Sequence, residues 1–288
     1  MDHADLSARR FACTQCGRCC NRPPEVELGE AAALADVFAW QVLFRLYSLP
    51  RSVADYEADG LPREAVAARF FETRKLLGAF AAYNFNGKAQ VDGAVQQRTF
   101  YLTISALAFD PMAANCPALN GTACSIYLRR PLTCRSVPLH YSRARAFAAE
   151  DIDRFVTTPG FACATDADAP IVIEEGVVID PAIAASRTEA LAQAQRDGPW
   201  KTALVAAMKR GDPRLPSLAQ VQQNAARGAL TVPMLCGWEI AAEAGLLGIG
   251  DIDALKASQR LVLNRLSSAP AITLPAARAI AELVRTLG

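Results

Sequence analysis

The sequence lacks a long uncharged apolar run, an excess of charge of either sign and an N-terminal leader pattern. Its most apolar stretch, 228–250, is interrupted by Glu239 and Glu243, so it falls short of the roughly 18–20 uncharged residues that a membrane-spanning helix needs. The formal net charge of +1 gives none of the basic excess that is typical of nucleic-acid-binding proteins. The first residues carry no basic segment followed by an apolar one, which predicts that a secretory signal is absent. We therefore expect a cytoplasmic protein that binds neither membranes nor nucleic acid.

Aromatic residues and histidines are scarce as well. Aromatic residues make up 7% of the chain and there are 2 histidines, so acid–base catalysis through histidine has few options. We interpret His140 as a structural residue rather than a metal ligand. Hydrophobic residues nevertheless make up 52% of the sequence, which is enough for a buried core and excludes a disordered chain.

Cysteine, in contrast, is abundant and concentrated near the N-terminus. Four of the nine cysteines form the segment Cys13-Thr-Gln-Cys16-Gly-Arg-Cys19-Cys20. In the cytoplasm such cysteines rarely form disulfides. A two-residue spacer lets a tight turn direct successive thiolates towards one metal ion or one face of a cluster, and Gly17 suits that turn because glycine tolerates positive φ. The spacing predicts a metal site in this loop.

The other cysteines extend the predicted site. We expect Cys116, Cys124 and Cys134 to fold back onto the 13–20 loop, and Cys163 to be the next ligand. Cys236 lies in an apolar helical context and is predicted to be a core residue. The predicted metal ligands are therefore Cys13, Cys16, Cys19, Cys20, Cys116, Cys124, Cys134 and Cys163.

Bound thiolates concentrate negative charge, which calls for nearby cations and N–H donors. Arg130 and Arg135 lie close to the cysteines in sequence and can supply both. Together with Tyr127, they are the predicted cofactor-binding residues that surround the site.

The order and spacing of these residues resemble the YkgJ-type cysteine-cluster family. The segment Phe11-x-Cys13-x2-Cys16-Gly17-x-Cys19-Cys20 resembles its opening signature. A second resemblance lies in Cys116-Pro-x-Leu followed by Cys124-x-Ile-Tyr-x2-Arg-Pro-x2-Cys134-Arg-x2-Pro. The resemblance covers about residues 11–165 and implies a zinc- or iron-chelating site built from these cysteines. Because the family includes the bacterial flagellin lysine N-methylase, it also implies an alternative function as a protein lysine N-methylase.

The sequence leaves the metal open. Soft thiolate ligands suit both zinc and iron–sulfur clusters. The ferredoxin-like triplet and the methylase relative favour an iron–sulfur cluster of the 4Fe–4S type, with zinc as the alternative. Eight candidate ligands exceed the four that one zinc ion or one cubane cluster needs, so either two metals are bound or some cysteines are spare. A third hypothesis is a structural zinc module that presents a partner-binding domain.

The pattern of predicted elements indicates a mainly α fold with a small β element (α+β). We expect a metal-stapled cysteine-cluster domain over 1–180, with a helical insertion at about 28–85, and an all-helical domain over 181–288 that contacts a protein partner or substrate. In the first domain, helices are predicted at 28–48 and 62–83, turns at 84–93, a strand at 98–109 and a β-hairpin at 171–179. The helices predicted in the second domain cover 181–196, 199–209, 216–227, 232–246, 251–267 and 273–286.

Overall fold

A computed structural model describes residues 8–20, 22–56, 63–110, 116–140, 145–225, 228–269 and 272–287. The α-helices are α1 Leu28–Ala33, α2 Arg63–Phe80, α3 Leu132–Arg135, α4 Ala148–Val156, α5 Pro181–Arg196, α6 Gly198–Arg210, α7 Leu218–Asn224, α8 Met234–Glu243, α9 Ile249–Ser267 and α10 Leu274–Thr286. The strands are β1 Arg9–Arg10, β2 Glu25–Val26, β3 Trp40–Pro50, β4 Ala81–Val91, β5 Ala94–Ala108, β6 Leu119–Asn120, β7 Ala123–Cys124, β8 Ile171–Glu174, β9 Val177–Val178 and β10 Ala229–Pro233. Short 3-10 helices cover Val53–Asp55, Tyr127–Arg129 and Arg145–Phe147.

The largest sheet is antiparallel and curled. Its strand order is β10-β3-β5-β2, and β4 also pairs with β5. Strand β10 is antiparallel to β3 over Ala229–Pro233, with Leu230 opposite Phe44, and β2 is antiparallel to β5 with Val26 opposite Ala106. Strands β3 and β5 are rich in β-branched and aromatic residues, which fit a pleated and partly buried surface.

The chain forms two compact units whose segments alternate along the sequence. The first comprises the described parts of 1–19, 47–101 and 121–192, and the second comprises those of 20–46, 102–120 and 193–288. In the first unit, Phe11, Ile152, Val172 and Ile183 belong to one buried hydrophobic cluster. In the second unit, the largest fully buried side chains are Trp238, Phe38, Phe44, Leu28, Leu43, Leu102, Ile104, Leu204 and Met234. The division into domains at residue 180 stays a prediction.

The predicted fold class is wrong. Helices account for 48% and strands for 22% of the structure, which is a mixed α/β fold rather than a mainly α one. Over the residues that the structure describes, no group of side chains staples the first domain through a metal. Strand β10 also interrupts the part of the chain that was predicted to be all-helical.

Two wrong local predictions account for most of the strand residues that the sequence did not predict. The predicted helix 28–48 is a short helix, α1, followed from Trp40 by strand β3. The predicted turns at 84–93 are mostly strand β4, and the chain turns only at Asp92 and Gly93, which both have positive φ. The ring of Phe85 in β4 stacks on that of Phe100 in β5, with centres 5.1 Å apart, and such cross-strand pairs stabilise a sheet.

Other local predictions are confirmed. Helix α2 and strand β5 lie where they were expected, and α5 to α10 follow the predicted helices to within a few residues. The hairpin β8–β9 turns at Glu175 and Gly176, both with positive φ, as a tight hairpin turn requires. Positions 62 and 226–227 of the predicted helices lie outside the described residues. Along the described part of the chain, no helix has the length and apolar character needed to cross a bilayer.

Candidate metal centre

The cysteine loop is attached to the segment around Cys163 by backbone hydrogen bonds. The N–H of Ala12 donates to the carbonyl of Ala164 at 2.9 Å, and the reverse bond is 3.1 Å long. This bridge sets Cys13 and Cys163 on neighbouring extended segments, each next to a bridged residue. The hydroxyl of Thr14 adds a 2.6 Å hydrogen bond to the carbonyl of Ala162. The start of the loop is therefore held against the 162–164 segment at Ala12 and at Thr14.

The middle of the loop turns through left-handed backbone conformations. Gln15 has φ 55° and Gly17 has φ 71°, which confirms the expectation that Gly17 occupies a turn. A Cβ atom at Gly17 would lie 3.0 Å from the carbonyl oxygen of Thr122 and 3.3 Å from its Cα. The loop therefore packs closely against the backbone just before Cys124, and a side chain at position 17 would require the Thr122 backbone to shift.

The sulfur of Cys16 lies among hydrogen-bond donors. The backbone N–H of Arg18 contributes most to lowering the pKa of Cys16, and the N–H of Ala162 lowers it further, against the opposing effect of desolvation. For Cys163, burial is the main cause of a raised pKa, and the negative charges of Cys16 and then Cys13 raise it further. The thiols of Cys13, Cys16 and Cys163 thus interact electrostatically, and we call them the thiol triad.

The remaining predicted ligands fall into two groups. Cys19, Cys124 and Cys134 belong to the same unit as the thiol triad. Cys20 and Cys116 belong to the second unit, where the N–H of Cys116 donates to the carbonyl of Cys20 at 2.7 Å. Within each unit, therefore, the backbone brings together cysteine-bearing segments that are far apart in the sequence.

All nine cysteines are thiols in the structure, and Cys236 is half-buried on α8. Over the described ranges, no group of three or more His, Cys, Asp or Glu side chains already has the geometry of a metal site. The set of ligands therefore stays a prediction. Thiols are soft donors, so the chemistry of the thiol triad, though not its present geometry, suits a thiophilic metal.

The three predicted cofactor-binding residues contact other protein groups. The guanidinium of Arg130 lies 3.8 Å from the centre of the Tyr127 ring, and its Nε donates to the Tyr127 carbonyl at 3.1 Å. Arg135 forms a partly exposed 3.2 Å ion pair with Glu189. His140, which the sequence predicts to be structural, is exposed. A contact between Tyr127, Arg130 or Arg135 and a cofactor stays a prediction.

Gly17→Ala is expected to lower the free energy of unfolding by about 2–3 kcal/mol. A left-handed conformation costs an L-residue about 1–2 kcal/mol, and the new methyl group also meets the Thr122 backbone, which cannot move as freely as a side chain. Gly160→Ala is the matched control, because Gly160 has φ 85° and nothing within 4 Å of a Cβ. Urea denaturation of both variants measures the difference, and equal losses would show that the contact with Thr122 is unimportant.

No family model, no curated protein and no solved structure matches this chain. The chemistry of the candidate centre therefore rests on its own residues. Thiol groups are soft donors of the kind that bind a soft metal ion or cluster.

Proposed function

We propose that this chain is a metal-binding protein whose thiol triad, with one further cysteine of the same unit, holds a thiophilic metal centre. The observation that carries this proposal is the Ala12–Ala164 bridge, which sets Cys13 and Cys163 on neighbouring segments, with the Thr14 hydroxyl bonded to the Ala162 carbonyl. Metals bind the thiolate form of cysteine, and hydrogen bonds to sulfur favour that form. The two-residue spacing of Cys13, Cys16 and Cys19, which lets a tight turn direct thiolates towards one metal, supports the same function.

The proposed metal centre is an iron–sulfur cluster of the 4Fe–4S type. Cys13, Cys16 and Cys163 supply three ligands, and one of Cys19, Cys124 and Cys134 supplies the fourth. Such a cluster, when bound, supplies a one-electron redox centre whose potential depends on hydrogen bonds to the ligand sulfurs. The backbone N–H groups of Arg18 and Ala162, which lower the pKa of Cys16, are the donors proposed for those hydrogen bonds. The proposed location is the cytoplasm, where the ligand thiols stay reduced.

The metal content of the intact chain, purified without oxygen, tests the proposal. We expect brown protein with about four iron and four acid-labile sulfide per chain, as a 4Fe–4S cluster requires. Iron and zinc are measured together by elemental analysis after expression with both metals. Colourless protein with stoichiometric zinc would contradict the cluster and keep the thiolate site, whereas metal-free protein would contradict both.

Serine variants test which cysteines bind the metal. Cys16→Ser and Cys163→Ser are expected to lose most of the bound iron, because a hydroxyl is a poor ligand for a soft metal. Cys236→Ser is the matched control, since this half-buried cysteine lies on α8 in the other unit. Circular dichroism checks the fold of Cys163→Ser, because Cys163 packs against the hydrophobic cluster of the first unit. Full iron retention in a folded Cys163→Ser variant would exclude this residue as a ligand.

A further inference from the structure

The register of the Ala12–Ala164 bridge sets Cys13 directly opposite Cys163. Both backbone hydrogen bonds of the bridge join Ala12 and Ala164, so these two residues form a hydrogen-bonded pair of the antiparallel type. The next pair along the two segments is Cys13 and Cys163. It is a non-hydrogen-bonded pair, the type in which opposite Cα atoms are typically only about 4.5 Å apart.

Two further contacts agree with this register. The hydroxyl of Thr14 donates to the carbonyl of Ala162 at 2.6 Å, so the two segments stay together one residue beyond the cysteine pair. Cys163 packs against the buried hydrophobic cluster that contains Phe11. In an extended segment, residues 11 and 13 lie on the same face. Cys13 therefore shares a face with Cys163.

Such a pair meets the geometric requirement for a disulfide bond. Disulfides typically join residues whose Cα atoms are about 4.4–6.8 Å apart. Cys13 is exposed and Cys163 is half-buried, so an oxidant in solution reaches the first thiol while the second lies beside it. We propose that Cys13 and Cys163 are a redox-modification site, at which a small disulfide such as oxidised glutathione converts the two thiols into an intramolecular disulfide.

The reaction is a pair of thiol–disulfide exchanges. The Cys13 thiolate attacks one sulfur of oxidised glutathione, the S–S bond of the oxidant breaks and one glutathione thiolate leaves. The Cys163 thiolate then attacks the Cys13 sulfur of this mixed disulfide and releases the second glutathione thiolate. The two cysteines lose two electrons and two protons in all, and the oxidant is reduced to two molecules of glutathione.

The disulfide uses two of the three thiols of the thiol triad. Metals bind the thiolate form of cysteine, and the sulfur atoms of a disulfide are no longer thiolates. The disulfide and the proposed metal centre therefore exclude each other, a consequence that rests on the proposed function. Formation of the disulfide in the metal-free chain does not depend on it.

Tryptic digestion of the intact chain without reductant tests the proposal. Trypsin cleaves after lysine and arginine, so Cys13 and Cys16 fall in peptide 11–18 and Cys163 falls in peptide 155–187. The metal-free chain is treated with oxidised glutathione, the remaining thiols are blocked with N-ethylmaleimide, and mass spectrometry measures the linked peptides. We expect at least about tenfold more linkage than in urea, where a loop of about 150 residues must close by chance. Equal linkage in urea, or no linked peptides, would overturn the proposal.

Single variants identify the linked sulfur atoms. Cys16 is the competing partner, because it lies in the same loop as Cys13 and interacts electrostatically with Cys163. Cys16→Ser is expected to keep the linkage. Cys13→Ser is expected to lower it by at least about tenfold, since the bridge sets Cys13 and not Cys16 opposite Cys163. Cys236→Ser, in the other unit, is the control, and a linkage that Cys16→Ser loses and Cys13→Ser keeps would overturn the proposal.

Loading the reduced chain with Zn²⁺ separates this proposal from the proposed function. If the thiol triad holds a metal, bound Zn²⁺ is expected to lower the linkage by at least about tenfold, because coordinated thiolates no longer attack the oxidant. Equal linkage with and without Zn²⁺ would contradict the proposed metal centre and still support the disulfide. Absence of the linkage from the metal-free chain would overturn the disulfide alone.

Discussion

Gln259→Leu is expected to lower the free energy of unfolding by about 4 kcal/mol. Gln259 lies on α9, is 4% exposed and makes three hydrogen bonds to buried backbone. Its amide nitrogen donates to the carbonyls of Ala35 and Phe38, each at 2.8 Å, and its amide oxygen accepts the N–H of Trp40 at 2.8 Å. Leucine has a similar size but leaves all three backbone groups without this partner, and each buried group costs about 1–3 kcal/mol when it is left unsatisfied.

Urea denaturation followed by circular dichroism measures this loss. Gln222→Leu is the matched control, because Gln222 is exposed on α7, and surface substitutions usually change stability by less than about 0.5 kcal/mol. Gln259→Glu separates the two kinds of bond, since a carboxylate still accepts from Trp40 but no longer donates to the two carbonyls. If Gln259→Leu is no more destabilising than Gln222→Leu, the three bonds do not support the connection between α1 and β3.

The elements that sequence predicts correctly are those with local signals. Helix α10 begins where expected because the Thr273 side chain accepts the N–H of Ala276 at 3.3 Å, which is a standard N-cap interaction. The hairpin β8–β9 needs only a two-residue turn at Glu175 and Gly176. In both places, the residues that decide the structure lie within a few positions of one another.

Strand β3 shows why the predicted fold class was wrong. The apolar residues of 40–48 fit a helix by spacing, but Val42 pairs with Val232 and Phe44 with Leu230 in the structure. These partners lie far along the chain, and no local pattern identifies them. Because strand pairing depends on such distant partners, a short apolar run does not distinguish a buried strand from a helix. The same non-local pairing hides β10 in a part of the chain that is otherwise helical.

The candidate site is predictable to a similar extent. The cysteine spacing indicates the loop, and the turn at Gly17 follows from glycine's tolerance of positive φ. The contact of the Ala162 N–H with Cys16 has no sequence signal, because every residue except proline carries that donor.

Lys201→Met is expected to destabilise the folded state by about 3–5 kcal/mol at neutral to alkaline pH, as breaking a buried ion pair typically does. Lys201 on α6 and Glu27, which precedes α1, form an ion pair with an Nζ–Oε2 distance of 2.6 Å, and both side chains are almost fully buried. In the variant, the buried Glu27 carboxylate loses the positive charge that Lys201 supplies. Lys209→Met makes the same change at an exposed position of the same helix and is expected to change stability by less than about 0.5 kcal/mol.

The pH dependence of the destabilisation by Lys201→Met tests whether the charge of Lys201 acts through the Glu27 carboxylate. Burial raises the pKa of Glu27 from 4.5 to about 6, while the charge and hydrogen bond of Lys201 oppose this shift and Asp197 and Glu25 add to it. Since the folded-state pKa is the higher one, protonation of Glu27 stabilises the folded state. That contribution, about 2 kcal/mol for a shift of this size, is complete below pH 4.5 and is lost as the pH rises through 6.

Removing Lys201 removes the two effects that lower this pKa, so Glu27 stays protonated to higher pH in the variant. The destabilisation by Lys201→Met is therefore expected to be larger at about pH 8 than at about pH 5.5, where a neutral carboxyl group no longer needs a counter-charge. Urea denaturation at both pH values measures the difference. The double variant Glu27→Leu with Lys201→Met should recover most of the loss, because replacing both members of a buried pair by apolar residues is often neutral. A loss that is the same at both pH values, or that persists in the double variant, would show that Lys201 contributes through packing of its alkyl chain rather than through its charge.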